Sequence, residues 1–446
     1  MDFRLSWDKH IEHIADRTAL IMQAFAQVAR RDWGLNSGAL SIIYDCIYVP
    51  IVAYACGTWG WAIAKVHAKR KLVSSQRRPL LLITKAFRTA SNHSLQVIAR
   101  KLPIDLDIQR KQKMKQIKWG KTIQAGSTTF THNDIEWPLP YCDSTFPGNP
   151  TVNISENITT ADMDIYTDGS KLDGEVGCSF VAYTGCIETY NQKYRLDKNC
   201  SVFQAELLAI QMAIDWINDN FYNIVVHIYT DSMSACNIIH SMKPHPVAEN
   251  IRNKINASSC TFGVYWTRSH QGTPGNERAD SLAKAAALDP TISISYRKLS
   301  RNTLRTILWE EAVNIWQTTW NQNNHCITHN FIPNLRDFLS LDWYTPDYHI
   351  SQLLTNHGKF ASYLYRFAHR TSNHCPTCLV EDGTKHYLYD CVMMDSERTE
   401  LRLLLYEIGI EWPCQPKDIW TNREIFSSFK RLTRKITHVT HQIINC

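Results

Sequence analysis

The sequence predicts an α/β domain at its centre, a mixed five-stranded sheet with helices, flanked by mainly α-helical N- and C-terminal regions. Three stretches carry that reading. Met163-Asp-Ile-Tyr-Thr-Asp168-Gly-Ser170 alternates apolar residues into a Thr-Asp-Gly-Ser turn sequence that puts a carboxylate at a strand end. Val225-Val-His-Ile-Tyr-Thr-Asp231-Ser echoes it as a second apolar strand. Between them, Phe203-Gln-Ala-Glu206 opens a run to Trp216 whose apolar residues fall on one helical stripe, with Glu206 in the first turn.

In chain order, residues 1–125 read as helical. Ile11, Ile14, Ala15, Thr18, Ala19, Met22, Phe25 and Val28 recur at helical spacing, and the stretches 64–78 and 110–118 add dense basic faces. Residues 126–160 carry prolines with polar spacers and read as an extended connector. The central domain, 161–290, is expected to hold strands 163–167, 177–183, 187–195, 224–230 and 261–268 and helices 203–219, 232–241, 247–257 and 274–287. Thr273 is placed to cap the last helix, with Pro274 at the position where a missing N–H costs nothing. Ala279 and Ala283 are small enough to let that helix lie close to the sheet. Residues 291–446 read as a helical tail carrying a cysteine- and histidine-rich segment.

A chain of 446 residues has room for several cores, and 44% hydrophobic with 20% charged residues excludes wholesale disorder. The net charge of +6 is uneven: +10 over 1–150, −6 over 151–290 and +2 over 291–446. An acidic centre behind a basic leader suits an enzyme that gathers divalent cations while another part grips phosphate. Fourteen scattered cysteines, with Cys46, Cys56, Cys178 and Cys236 inside apolar runs, read as small core residues in a reducing, intracellular compartment, nucleus or cytoplasm. The most apolar region, 39–64, is interrupted by Asp45 and Pro50 and reads as packed helix; no membrane partner is expected.

A fourth stretch completes the central set: Ser269-His270-Gln-Gly followed by Gly275-Asn-Glu-Arg-Ala-Asp280. With Asp168, Glu206 and Asp231, this pattern resembles the type 1 ribonuclease H family over about 162–290. Hydrolysing a phosphodiester requires water, phosphate and leaving oxygen in line, which two divalent ions about 4 Å apart accomplish. Mg²⁺ takes hard oxygen ligands, so carboxylates are its anchors. The resemblance implies two Mg²⁺, or Mn²⁺ in their place, with Asp168 bridging both, Glu206 and Asp231 holding one and Asp280 the other. It further implies that His270 shuttles a proton or helps product leave, and that the substrate is an RNA–DNA hybrid. The family distinguishes RNA through its 2′-hydroxyl, partly by backbone beside the catalytic residues, which makes Gly169, Ser170 and Ser232 substrate-binding candidates. One departure stands out. Between Asp231 and Asp280 only Lys243, Arg252, Lys254, Arg268 and Arg278 are basic, and they are dispersed, so grip on the hybrid must come from elsewhere.

The leader has a resemblance of its own. His10-Ile-x-x-Ile, Ile47-Tyr-Val-Pro through Trp59, Gln76-Arg-Arg-Pro-Leu-Leu-Leu and Leu95-Gln-Val-Ile-Ala look like the region after the polymerase palm in non-LTR retrotransposon reverse transcriptases of the R1 or jockey kind. Nowhere is there a Tyr- or Phe-Ala-Asp-Asp polymerase box, so polymerisation is not expected.

In the tail, Cys375-Pro-Thr-Cys378, His386 and Cys391 form a Cys₂HisCys set at spacing suited to one structural, tetrahedral Zn²⁺. His374 stands beside them as an alternative ligand. The combined expectation is the C-terminal part of a retrotransposon polyprotein whose central domain cleaves the RNA strand of hybrids, with the element RNA as a further partner. The alternatives are a non-catalytic nucleic-acid-binding remnant and a transposase or integrase of similar fold; the intact acidic set opposes the first, and the Gly-Asn-x-x-Ala-Asp helix the second.

Overall fold

The computed structural model describes residues 6–29, 34–138, 160–241, 243–268 and 272–445. They fall into two compact units: Ile117–Ile307, and a second made of the chain up to Gln116 and from Leu308 onward.

The 117–307 unit is organised by a sheet with strands β1 Met163–Leu172, β2 Glu175–Thr184, β3 Ile187–Leu196, β4 Val225–Thr230, β5 Thr261–Trp266 and β6 Ile294–Tyr296, in the order β5-β4-β1-β2-β3-β6. Pairing is antiparallel within β1-β2-β3 and parallel for β1-β4, β4-β5 and β3-β6. The sheet therefore has six strands rather than the expected five. The sixth comes from residues read as the start of the helical tail, three residues being too few to show alternation.

A second correction concerns Thr167-Asp168-Gly169-Ser170, which is not a turn. Asp168, Gly169 and Ser170 pair with Ser179, Cys178 and Gly177, and the chain reverses only at Asp173-Gly174. Those two residues have φ of 51° and 84°, the paired positive φ of a tight hairpin turn. Asp168 is thus held inside a strand, not at the end of one.

Four helices complete this part: α1 Val202–Asn220, α2 Met233–His240, α3 Pro246–Ala257 and α4 Pro274–Leu288. A core of Ile165, Phe180, Leu207, Ile210, Ile214, Val226, Ile228 and Phe262 lies between sheet and helices. Helix α1 begins one residue earlier than expected, so Glu206 falls just past its first turn. Helix α4 starts on Pro274 as expected, but Thr273 makes no side-chain cap. Its approach to the sheet depends on Gly177: a β-carbon there would lie 2.6 Å from the Ala283 carbonyl oxygen.

The expected connector is partly structured. Ile123–Ala125 and Thr128–Phe130 form a short hairpin, and Ile135 bridges to Leu299. The proline-rich remainder, 139–159, lies outside the described residues.

In the other unit, helices Asp8–Val28 and Val66–Thr84 bury the expected stripe residues Ile11, Ile14, Ala15, Thr18 and Met22. Sequence reading divided the flanking regions, but here they share one core: Val97 and Ile98 pack with Trp316, Trp320, Phe331, Leu353 and Phe429. Hydrogen bonds from Tyr344 to the Ile98 carbonyl (3.2 Å) and from Ser351 to the Thr84 carbonyl (2.6 Å) cross the same seam. Among the described residues no single helix is long and apolar enough to cross a membrane; the bent pair Ser37–Val52 and Cys56–Ala64 passes by length and composition, yet Tyr48, Val52, Trp59 and Ala62 are fully buried in this unit. Cys56, Cys178 and Cys236 are buried as expected, whereas Cys46 is exposed on the outer side of its helix.

Candidate active site

The pleat of β1 decides which way each residue of the Asp168 segment points. Ile165, Thr167 and Gly169 alternate with Tyr166 and Asp168, so Gly169 meets α1 while Asp168 turns to the opposite face, above Ser179. A β-carbon on Gly169 would lie 2.7 Å from the Ala205 carbonyl carbon and 2.9 Å from the Ala205 β-carbon. Glycine is required there, and the close seat brings Glu206 to the strand. The Gly169 backbone amide favours the ionised form of the Glu206 carboxyl. Ser179 Oγ donates to the Ala279 carbonyl at 2.7 Å, fixing α4 one residue before Asp280.

Ligand oxygens of Asp168, Glu206 and Asp231 lie within 4.8 Å of one another. Asp168 and Glu206 are 5% and 6% exposed, and Asp168 Oδ2 and Glu206 Oε2 are buried with no hydrogen-bond partner. Like charges at this range repel by about 4 kcal/mol per pair at a surface-like dielectric. Even a full charge-assisted hydrogen bond would return only about 1.5–3 kcal/mol. Repulsion wins. Burial first, then the Asp231 and Asp280 charges, pushes the Asp168 carboxyl up to about 7. Burial, then Asp168 and Asp231, likewise raises Glu206 well above the ordinary carboxylate range. Orphaned buried carboxylate oxygens with this electrostatics fit a divalent cation, which would satisfy both at once.

Asp280 stands outside the trio. It is half-buried on α4, and Lys284 one turn on donates to it at 2.7 Å. His270 lies outside the described residues. Of the substrate-facing candidates, Ser170 is half-buried beside Gly177, Gly169 is buried against Ala205 and Glu206, and Ser232 Oγ accepts the Ala235 N–H (3.3 Å) as the cap of α2. The scarcity of a basic handle has a structural counterpart. Arg252 is buried and donates to the carbonyls of Ile238, Ile239 and Ser241, Lys254 pairs with Asp215, and Arg278 pairs with Glu188.

Sequence reading missed the support of α1. Ser201 and Gln204 form a reciprocal capping box, a pattern legible as Ser-x-x-Gln. Glu136, which accepts from both Gln204 and Tyr296, carried no sequence signal, standing 160 positions from Tyr296.

In the other unit, Cys375, Cys378, His386 and Cys391 offer ligand atoms within 4.8 Å of one another. Cys375 and Cys391 are fully buried, Cys378 Sγ lies 3.8 Å from Cys391 Sγ, and both ring nitrogens of the buried His386 lack a partner. An imidazole left wholly unsatisfied among three thiols is what a soft-ligand metal site requires. Gly383, at φ 143°, turns the chain into the short helix Thr384–Tyr389 that carries His386. Arg398 is buried behind the set and donates to the carbonyls of Leu388 and Cys391. His374 bridges to Glu381 and is not part of the group.

Comparison with known proteins agrees with this geometry. Residues 160–288 match the RNase H family. The 115 kDa protein in type-1 retrotransposable element R1DM of Drosophila melanogaster is 36% identical over 97 residues, 22% of this chain. A Pol polyprotein from type-1 retrotransposable element R1 4 of Nasonia vitripennis is 27% identical over 125 residues, 28% of this chain. The matched stretches span only 10% and 31% of those two relatives' own lengths. The Ribonuclease H of Enterobacter sp. (strain 638) is 31% identical over 150 residues, 29% of this chain and 92% of its own length. With that bacterial protein matched almost end to end, and with Asp168 on β1, Glu206 on α1 and Asp231 directly after β4, the chain belongs to the ribonuclease H family.

Proposed function

We propose that this chain is a metal-dependent endonuclease that cuts the RNA strand of RNA–DNA hybrids, leaving 5′-phosphate and 3′-hydroxyl ends, as part of an intracellular retrotransposon polyprotein. The observation that carries the proposal is the convergence of Asp168, Glu206 and Asp231 with two buried, unpartnered carboxylate oxygens. Asp168, Glu206, Asp231 and Asp280 would hold two Mg²⁺, with Mn²⁺ as a substitute. When bound, these ions supply an activated water and neutralise charge on the leaving oxygen.

The protein's own contribution is placement. Gly169 and Ala205 fix Glu206 against β1, Ser179 holds α4 and hence Asp280 over the opposite face, and Lys284 directs the Asp280 carboxylate through its hydrogen bond. Ser170 and Ser232 flank the trio and are the candidates for contacting the ribose 2′-hydroxyl, while His270 would move a proton or release product. The Cys375, Cys378, His386 and Cys391 set would hold one structural Zn²⁺, and the element RNA is a further candidate partner.

The test is cleavage of a labelled RNA–DNA hybrid in Mg²⁺ by the parent and by Asp168→Asn, with circular dichroism to confirm folding. The expected result is loss of cleavage in a folded variant. Activity within about tenfold of the parent, a barrier change of only ~1.4 kcal/mol, would overturn the assignment.

A further inference from the structure

Helix α1 carries Glu206, and the end of that helix is gripped from two sides. On one side is Gly169. On the other are residues that lie outside the 160–288 stretch matched by the family. Glu136 is buried, and Gln204 Nε2 donates to its Oε2 at 3.2 Å while Tyr296 Oη donates to its Oε1 at 2.8 Å. Gln204 is saturated: Nε2 also donates to the Lys298 carbonyl (3.0 Å), and Oε1 accepts the Ser201 N–H (3.0 Å) in the capping box. Glu136 is itself fixed by its backbone, whose N–H donates to the Leu299 carbonyl (2.8 Å), with the Leu299 N–H returning to the Asp134 carbonyl (2.8 Å). Two chain segments, one before the family domain and one after it, thus meet on the residue two positions ahead of Glu206.

We infer that Glu136 and Tyr296 are positioning residues for Glu206, so that this chain's ribonuclease H domain needs both flanking segments to set its metal-binding carboxylates. The physical reason is that Glu206 is pushed away from Asp168 and Asp231 by like charge, and Glu206 cannot yield by moving its helix while Gln204 is held. Glu136 is also buried, so releasing either of its donors leaves a desolvated carboxylate oxygen that must find a new partner, and the cheapest is a shifted Gln204. Partners that orient a metal ligand from behind typically matter to metal affinity by about 10- to 100-fold.

This inference rests on the reading of the acidic trio as a divalent-cation site, and the experiment separates the two. Mn²⁺ binding to the substrate-free full chain is measured by titration calorimetry for the parent, Glu136→Ala, Glu136→Gln, Tyr296→Phe and Asp168→Asn, alongside the metal concentration giving half-maximal hybrid cleavage. Asp168→Asn is expected to lose the site. Glu136→Ala and Tyr296→Phe are expected to weaken Mn²⁺ binding on the order of tenfold and to raise the half-maximal metal concentration in parallel. Glu136→Gln, which keeps the side chain's volume and one acceptor, is expected to fall between them and the parent. Tyr296→Phe removes a single hydroxyl and keeps the test valid if Glu136→Ala does not fold. Glu136 and Tyr296 variants that lose thermal stability yet bind Mn²⁺ as the parent does would overturn the inference alone. Unchanged Mn²⁺ binding in Asp168→Asn as well would overturn it together with the metal reading.

Discussion

Gly169 and Glu206 constrain each other twice: the glycine's missing side chain is the space the helix backbone at Glu206 occupies, and its backbone amide favours the ionised form of the glutamate's carboxyl. Gly169→Ala should therefore act on both fold and site. The added methyl must push α1 off β1, an overpacking cost of about 1–3 kcal/mol. Urea unfolding should register that loss, and hybrid cleavage should drop further than the loss of folded protein explains. Wild-type activity in Gly169→Ala would show that the close seat of α1 is dispensable.

The Cys375, Cys378, His386 and Cys391 set leads to a prediction about composition. Elemental analysis of reduced, purified protein should find about one Zn²⁺ per chain, and chelation should loosen the surrounding helices because small metal sites draw folding energy from the ion. Cys375→Ser and His386→Ala should each abolish zinc retention, while His374→Ala should not. Zinc-free yet fully folded protein would contradict the assignment.

Charge pairing narrows which residues of the leader's basic stretches face solvent and can meet phosphate. Lys69 pairs with Asp105 (2.8 Å), Arg110 and Lys111 pair with Asp107 (2.6 and 2.8 Å), and Lys113 pairs with Glu311 (2.7 Å). Lys115, Lys118 and Lys121 are exposed, next to the half-exposed Trp119. Each phosphate neutralised contributes roughly 0.7–0.9 to the slope of log affinity against log salt, so changing these three lysines to Gln should flatten the slope for hybrid binding by about 2. Lys69→Gln should leave it nearly unchanged. Equal slopes for the triple variant and the parent would remove these lysines from the interface.

His245 predicts an acid sensitivity. Burial first, then the charges of Arg301 and Arg252, lowers its imidazole from the ordinary range to about 4, and neutral Nδ1 accepts the Ala248 N–H (3.4 Å) as the cap of α3. The folded state thus binds fewer protons than the unfolded chain between the unfolded pKa near 6.5 and about 4. This contribution is fully present above about pH 6.5 and is lost as pH falls through that window. Urea midpoints should decline between pH 7 and pH 4.5, and His245→Asn, which retains a capping oxygen without titrating, should decline less. Parallel pH profiles for the two proteins would refute the role.

The elements and chemistry of the central domain were legible in the sequence because they follow from short-range rules. Alternation marked β1 and β4 and helical periodicity marked α1, and in the tail the spacing of Cys375, Cys378, His386 and Cys391 picked out a candidate metal-ligand set. What only the tertiary structure decided depends on partners far apart in the chain. Asp168 sits within β1 because β2 supplies pairing partners beyond it, a fact no local turn preference contains. The sixth strand exists because β3 offers an open edge to residues 294–296. Glu136 reaches Gln204 and Tyr296 through a bridge between Ile135 and Leu299, and a lone buried glutamate after a hairpin has no periodicity to betray it. The leader's lysines looked alike in sequence, but packing assigned some to Asp105, Asp107 and Glu311 and left others to solvent. Local propensity and residue chemistry are written in neighbours; burial, pairing and charge compensation are set by whichever distant surface the folded chain brings alongside.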